Sequence, residues 1–342
     1  MGYRRLMTLV IGVDENGLGP RLGPLIVTAV AIEADPAVAG SAKAALSKPP
    51  SSLRGRLADS KELVSYGESW LGEAWARAIA ERAGLSVTSP EALLRGISLR
   101  SDRDLRAPCP PQHETQCWNT HAEAFAADDA AVARAKKDLA RLERRGLNVR
   151  KVRTEILCTR RLNDAARAGT SRFAVDLHAM ERLVLSLREE LGRDVTAVCG
   201  KVGGYDRYGD AFGPLAGRLH VALEEGRARS EYRFPGLGTM AFERDADESH
   251  LSVSLASLVG KWARDLLMGR IVRHYQGLAE GVPDASGYHD PVTARFVLST
   301  ALVRKDRGID GACFEREARA GAPPAGAKRK AASRRAEKAS PS

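Results

Sequence analysis

Aromatic residues are scarce, at 5% of the 342 residues, and no apolar run reaches the roughly 18 residues that a membrane-spanning helix needs. The expectation is a soluble chain with no membrane partner. Cysteines are few and odd in number: Cys109, Cys117, Cys158, Cys199 and Cys313 have no regular spacing. That is not a disulfide framework, and it fits a reducing cytoplasm. A secretory cleavage site is also lacking, because Tyr3-Arg4-Arg5 and the apolar stretch 6–13 run directly into Asp14-Glu15. Leu6 breaks the N-myristoylation pattern. Acidic charge is in deficit, with 43 Asp and Glu against 53 Lys and Arg, a net charge of +10. Such a balance points to a polyanionic partner.

Part of that excess lies at the end. Residues 321–342 hold Lys328, Arg329, Lys330, Arg334, Arg335 and Lys338 against Glu337 alone, with no large apolar side chain. Such a segment cannot bury enough surface to offset the entropy of ordering, so 319–342 is expected to be a disordered basic tail. The rest of the chain, 44% apolar overall, has material for a core of one large or two ordinary domains. Residues 9–14 read as a buried strand, a glycine-rich turn spans 17–23, and 24–33 reads as a second strand forming a hairpin with the first. A loop is expected over 34–56 and a helix over 60–83 after the capping residues Asp59 and Ser60. The prolines of 86–120 predict loops with short elements. Helices are expected around 125–142, over 175–191 and over 254–275, and strands over 195–199 and 232–242. Mixed strands and helices in this order point to an α/β domain with a helical C-terminal region.

Asp14 and Glu15 end a strand beside Gly17, Gly19 and Gly23. Adjacent carboxylates next to a permissive backbone suit a hard cation that bridges to phosphate, while an exposed strand end with solvated acids is the competing reading. Successive strand side chains face opposite ways, so both acids serve one site only where the strand ends or bulges. Cys109, His113, Cys117 and His121 form a zinc-type donor set. On one helix they would spread over about 18 Å, and Pro110-Pro111 interrupts it, so only a folded loop could converge them. Gly17-Leu18-Gly19 lacks the spacing of a dinucleotide turn, and Gly200-Lys201 lacks the flanks of a P-loop.

Four blocks together carry a resemblance. Gly12-Val13-Asp14-Glu15-Asn16-Gly17-Leu18-Gly19-Pro20 resembles the first motif of ribonuclease HII and ribonuclease HIII. Asp59-Ser60-Lys61-Glu62-Leu63 is similar to the family's Asp-Ser-Lys-Lys-Leu segment. Asp247 with Ala256-Ser257-Leu258-Val259-Gly260-Lys261 through Arg264-Asp265 resembles the block in which an aspartate precedes Ala-Ser-Ile-Leu-Ala-Lys. Ser286-Gly287-Tyr288 is similar to a Lys-Gly-Tyr segment. The match runs over about 9–315, with an insertion over about 85–150, so 1–318 is expected to be one ribonuclease HII-like domain.

The resemblance implies a ribonuclease H-like mixed sheet flanked by helices. It also implies hydrolysis of the RNA strand of RNA–DNA hybrids, or of DNA containing ribonucleotides, by a monomer using Mg²⁺ or Mn²⁺. Asp14, Glu15 and Asp247 match three of its acids, catalytic and metal-holding. Gly17, Leu18, Gly19, Lys61 and Tyr288 match its substrate contacts. Two departures stand out: Leu18 replaces the Arg or Thr of the glycine turn, and Cys199 stands where a third aspartate is expected. A thiol is a poor partner for Mg²⁺. Lys201, Asp206, Asp210 and Asp245 are the nearby charges that could compensate, Asp245 being nearest in sequence to Asp247. The alternative is therefore a catalytically impaired nucleic-acid-binding protein of the same fold.

Overall fold

The computed structural model describes residues 7–35, 53, 55–57, 65–111 and 114–317. Lys61, His113 and the tail 319–342 lie outside the described residues. Seven strands form one sheet: β1 (Thr8–Asn16), β2 (Leu25–Ala34), β3 (Leu147–Leu157), β4 (Val195–Gly200), β5 (Val221–Glu225), β6 (Arg229–Phe234) and β7 (Gly238–Glu243). Their order across the sheet is β3-β2-β1-β4-β7-β6-β5. β4 runs parallel to β1 and β7, and the other neighbours are antiparallel. The helices of nine residues or more are α1 (Trp70–Arg82), α2 (Asp129–Arg144), α3 (Thr159–Arg167), α4 (Arg172–Leu191), α5 (Leu251–Gln276) and α6 (Pro291–Ser299). The expected mixed sheet flanked by helices, with a helical C-terminal region, is what the chain forms.

Period-two alternation in β1 explains the layers. Leu9, Ile11 and Val13 join Leu177, Met180, Leu183 and Cys199 in the core beneath α4, while Val10 faces the core under α5 and α1. Ser171 caps α4 by accepting from the Ala174 amide, and Gly192, at φ +67°, ends it in the left-handed conformation glycine favours. α5 is buried along most of its length, Arg264 and Arg270 included. It approaches β1 very closely at Gly12, where a Cβ would lie 2.3 Å from the Val253 nitrogen. Only glycine permits that distance.

Three expectations change in detail. The helix expected over 60–83 is seen as α1 from Trp70, with 58–64 outside the described residues. The single strand expected over 232–242 is a hairpin, β6 and β7, turned at Pro235-Gly236 with Gly236 at φ +70°. The 85–150 stretch contains the short helices Pro90–Ile97, Asp102–Arg106 and Glu114–Trp118 together with α2, and it ends within β3. Buried Arg270 of α5 ties this stretch down, bonding Glu91 and Glu123 at 2.6 Å each. No helix among the described residues is long and apolar enough to cross a membrane.

Candidate active-site cleft

The C-terminal end of β1 opens into a cleft of about 550 Å³. Asp14, Glu15, Gly17, Leu18, Gly19, Asp247 and Tyr288 all line it, so the structure gathers every described residue expected at the site except Cys199. The ladder between β1 and β4 has its last pair at Val13 and Cys199. Asp14 and Glu15 lie past the pairing with β4 but stay paired with Thr28 and Val27 of β2, so the strand neither ends nor bulges there as expected, and both acids border the cleft because it opens at the edge of β1 that β4 no longer covers. Asp14 accepts a hydrogen bond from the Ser257 side chain, and the Asn16 amide donates to the Ser257 carbonyl at 3.2 Å. β1 and α5 are thereby locked at the acids. Burial pushes the Asp14 carboxyl well above the usual carboxylate range; the neighbouring charges of Glu15 and Asp247 add to this, and the Ser257 bond offsets part of it.

The glycine turn is held from distant segments. Gly17 has φ +91°, and a Cβ there would meet Arg264 Nε at 2.5 Å. Arg316, nearly 300 residues later, is buried and donates to the carbonyls of Gly17 at 2.6 Å and Gly23 at 2.9 Å. Burial, helped by the charges of Arg264 and Arg172, lowers its pKa to about 9. The Gly287 carbonyl accepts from the Arg21 and Leu22 amides at 2.9 Å, bringing Tyr288 to the turn. Tyr288 is 46% exposed, with the Arg264 guanidinium 4.6 Å from its ring centroid. Arg264, Lys201, Arg244 and Lys261 also line the cleft, as do Glu243, Asp245 and Asp265, so charges of both signs meet there; the side chains of Arg264 and Lys201 are buried and that of Arg244 is exposed.

Cys199 is elsewhere. Its side chain is fully buried in the core beneath α4, and it is absent from the cleft lining. One further step in register puts Gly200, not Cys199, beside Asp14; a Cβ on Gly200 would lie 2.9 Å from Asp14 Oδ1 and 3.6 Å from Glu15 Oε2. Burial first, then the charge of Asp176, raises the Cys199 thiol well above its ordinary value. Of the charges named as possible replacements, Lys201 and Asp245 line the cleft and Asp206 and Asp210 do not. Lys201 pairs with Asp206 at 3.5 Å, and Asp245, at φ +54°, pairs with exposed Arg244 at 3.4 Å.

Sequence reasoning missed Gly200, Glu243, Asp265 and Arg316. Glu243 of β7 stands across Gly200 on the face of Asp14 and borders the cleft. Burial would raise its pKa, but the His250 hydrogen bond at 2.8 Å and the charges of His250 and Arg229 outweigh that and hold it low. Asp265 is pushed up to about 6, chiefly by burial. Among the described residues, no three His, Cys, Asp or Glu side chains stand close enough to hold a metal ion together. Carboxylate oxygens such as those of Asp14, Glu15 and Asp247 are the donor type a hard cation takes, and Gly200 leaves beside Asp14 a space that any side chain would fill.

The spacing of Cys109, His113, Cys117 and His121 argues against a zinc site, and the three described members do not converge as a ligand set. His121 is exposed, whereas Cys109 and Cys117 gather near Cys158 and Cys313. Trp118 donates to Cys109 Sγ at 3.4 Å, and Cys117 and Cys158 line one small void. Burial raises the Cys117 thiol, with the other three cysteines adding to the effect.

No family model and no curated protein matches the chain. Solved structures do. An RNase HII structure from Archaeoglobus fulgidus, determined as a PCNA complex, is 15% identical over 94% of this chain and 99% of that one, with a TM-score of 0.42. Bst-RNase HIII in complex with Mn²⁺ is 13% identical over 93% and 69%, at 0.43. Ribonuclease H2 from Pyrococcus horikoshii is 15% identical over 90% and 92%, also at 0.43. At these scores the likenesses assign this chain no function, and its fold rests on its own strand order.

Proposed function

We propose that the chain is a divergent, divalent-metal-dependent endoribonuclease of the ribonuclease HII/HIII kind, acting on the RNA strand of RNA–DNA hybrids. The observation that carries this reading is the cleft: Asp14 and Glu15 of β1 and Asp247 of the short helix Ala246–Ser249 share its lining with Arg244, Lys261 and Arg264, and Tyr288 lies beside the glycine turn. Asp14, Glu15 and Asp247 would hold the cation, which when bound supplies Lewis-acid polarisation of the scissile phosphodiester. Arg244 and Lys261, with the chain's net charge of +10, would draw the nucleic-acid backbone in. Gly17 and Gly19 let the backbone of the turn approach a sugar or phosphate closely, and the Tyr288 ring offers a face for a sugar. Leu18 brings no side-chain donor to the turn, so a preference for a single embedded ribonucleotide is not part of the proposal.

A second reading, a duplex-binding protein with little turnover, is favoured by one observation: β4 supplies no acid to the cleft, because Cys199 faces the core and Gly200 has no side chain. Incubating the purified chain with an RNA–DNA hybrid, and with a duplex carrying one ribonucleotide, in Mg²⁺ and in Mn²⁺, separates the two. The nuclease reading expects cleavage that Asp14→Asn reduces on the order of 100-fold or more. Duplex binding without cleavage in either metal would leave only the second reading.

A further inference from the structure

Residues 17–23 form the loop that follows β1, with Gly17 and Gly23 at positive φ, and among the described residues no backbone hydrogen bond joins one residue of this loop to another. Its shape is set from outside. Arg316 is buried and lays one planar guanidinium across the loop's two ends: Nε donates to the Gly23 carbonyl at 2.9 Å, and Nη1 donates to the carbonyls of Gly17 at 2.6 Å and Leu18 at 3.3 Å. The backbone of the same segment is tied on as well, since the Arg316 amide donates to the Arg21 carbonyl at 3.0 Å and Glu315 pairs with Leu22 in an antiparallel bridge. Gly17, Leu18 and Gly19 line the cleft, whereas Arg316 does not. The guanidinium thus grips the loop from outside the cleft.

This grip governs where the loop's amides point. A trans peptide directs its C=O and N–H in opposite senses. With the carbonyls of Gly17 and Leu18 drawn to Arg316, the N–H groups of Leu18 and Gly19 point away from it, and among the described residues neither donates to a protein acceptor. Two successive amides of this kind make a donor surface for an oxygen, at a position where Leu18 adds no side-chain donor. We infer that Arg316 is a positioning residue for nucleic-acid recognition: its fork fixes the orientation of the glycine loop, so that the amides of Leu18 and Gly19 meet an oxygen of the nucleic-acid backbone. The inference rests on the reading of the cleft as a nucleic-acid site. Arginine suits the task because its donors form a rigid planar fork, whereas a lysine ammonium is a point charge on a flexible stem and cannot hold both ends of the loop in one plane.

Binding of a fluorescently labelled RNA–DNA hybrid to the full-length chain, followed by anisotropy across a salt series, tests the inference, with MnCl₂ calorimetry alongside and thermal melts to show that each variant is folded at the assay temperature. Arg316→Met removes the fork and is expected to weaken hybrid binding on the order of 10-fold, as the loss of one or two net hydrogen bonds implies. The slope of log Kobs against log salt is expected to stay as in the parent, because a buried guanidinium that meets no phosphate releases no counterion. Mn²⁺ affinity is expected to stay within about threefold, below the tenfold loss typical of a disturbed metal site. Arg316→Lys, which carries the test should Arg316→Met not fold, keeps the charge and is expected not to restore hybrid affinity. Parent affinity for the hybrid in either variant would overturn the inference. So would a slope shallower by about 0.9, which would make Arg316 a direct phosphate contact. Parallel loss of hybrid and Mn²⁺ binding would overturn it as well, marking a cleft that has lost its fold. A parent chain that binds no hybrid would overturn the reading of the cleft together with the inference.

Discussion

Whether an acid at position 199 would serve the cleft is decided by strand parity. Cys199 shares the face of Val13, beneath α4, so its side chain points away from the cleft that Asp14 borders. Substituting Cys199→Asp would bury a third carboxylate near those of Asp176 and Glu181 in the core beneath α4. An uncompensated buried charge costs about 3–5 kcal/mol, so a large drop in the urea midpoint is expected, with no gain in Mn²⁺ affinity or cleavage. A stable Cys199→Asp variant with tighter Mn²⁺ binding would show that residue 199 reaches the cleft after all. This parity was not legible in the sequence. The string Val198-Cys199-Gly200 fixes residue order, but which of the last two stands beside Asp14 depends on the register with β1, a contact between segments about 185 residues apart. Asp14, Glu15, Gly17 and Tyr288 were legible because their motifs are local.

At the scale of elements, the long helices and β1, β2 and β4 were legible from periodicity and caps, while β3 and β5 were not. β3 carries Arg150, Lys151 and Arg153 and alternates imperfectly, and β5 is exposed along its whole length, so neither shows a clean buried pattern. The hairpin of β6 and β7 was signalled by Pro235-Gly236, a turn dipeptide inside what otherwise reads as one strand. Helix packing is where local preference and tertiary structure conflict most sharply. Gly72 lies in α1, and a Cβ there would stand 2.1 Å from the Leu258 carbonyl of α5 and 3.1 Å from Trp262 Cβ. Propensity favours alanine in a helix by about 1 kcal/mol, but overpacking costs about 1–3 kcal/mol, and a backbone carbonyl cannot turn aside as a side chain can. Packing is expected to win. Gly72→Ala should lower the urea midpoint by the equivalent of up to about 2 kcal/mol, the difference between those terms. An unchanged or raised midpoint would mean that α1 and α5 can separate without loss, contrary to the close approach at Gly72.

For the molecule as a whole, the net charge of +10 divides between a body and a tail with different consequences. In the body, Arg244, Lys261 and Arg264 share the lining of the cleft with its acids, so the proposed attraction for a polyanion and for a cation would meet in one place. The tail, 321–342, carries six basic residues and Glu337, and it lies outside the described residues. Each phosphate that a cationic side chain neutralises contributes about −0.9 to the slope of log Kobs against log salt on duplex DNA. If the tail contacts phosphate, deleting 321–342 should weaken duplex binding at low salt and flatten that slope by up to about 5, the limit set by six cations partly offset by one acid. The rate of cleavage at saturating hybrid should not change, because the acids at the end of β1 are untouched. Binding measured by fluorescence anisotropy across a salt series, with and without the tail, reads both quantities. An unchanged slope would place all phosphate contacts on the body, and a fall in the saturated cleavage rate would give the tail a part in the cleft itself.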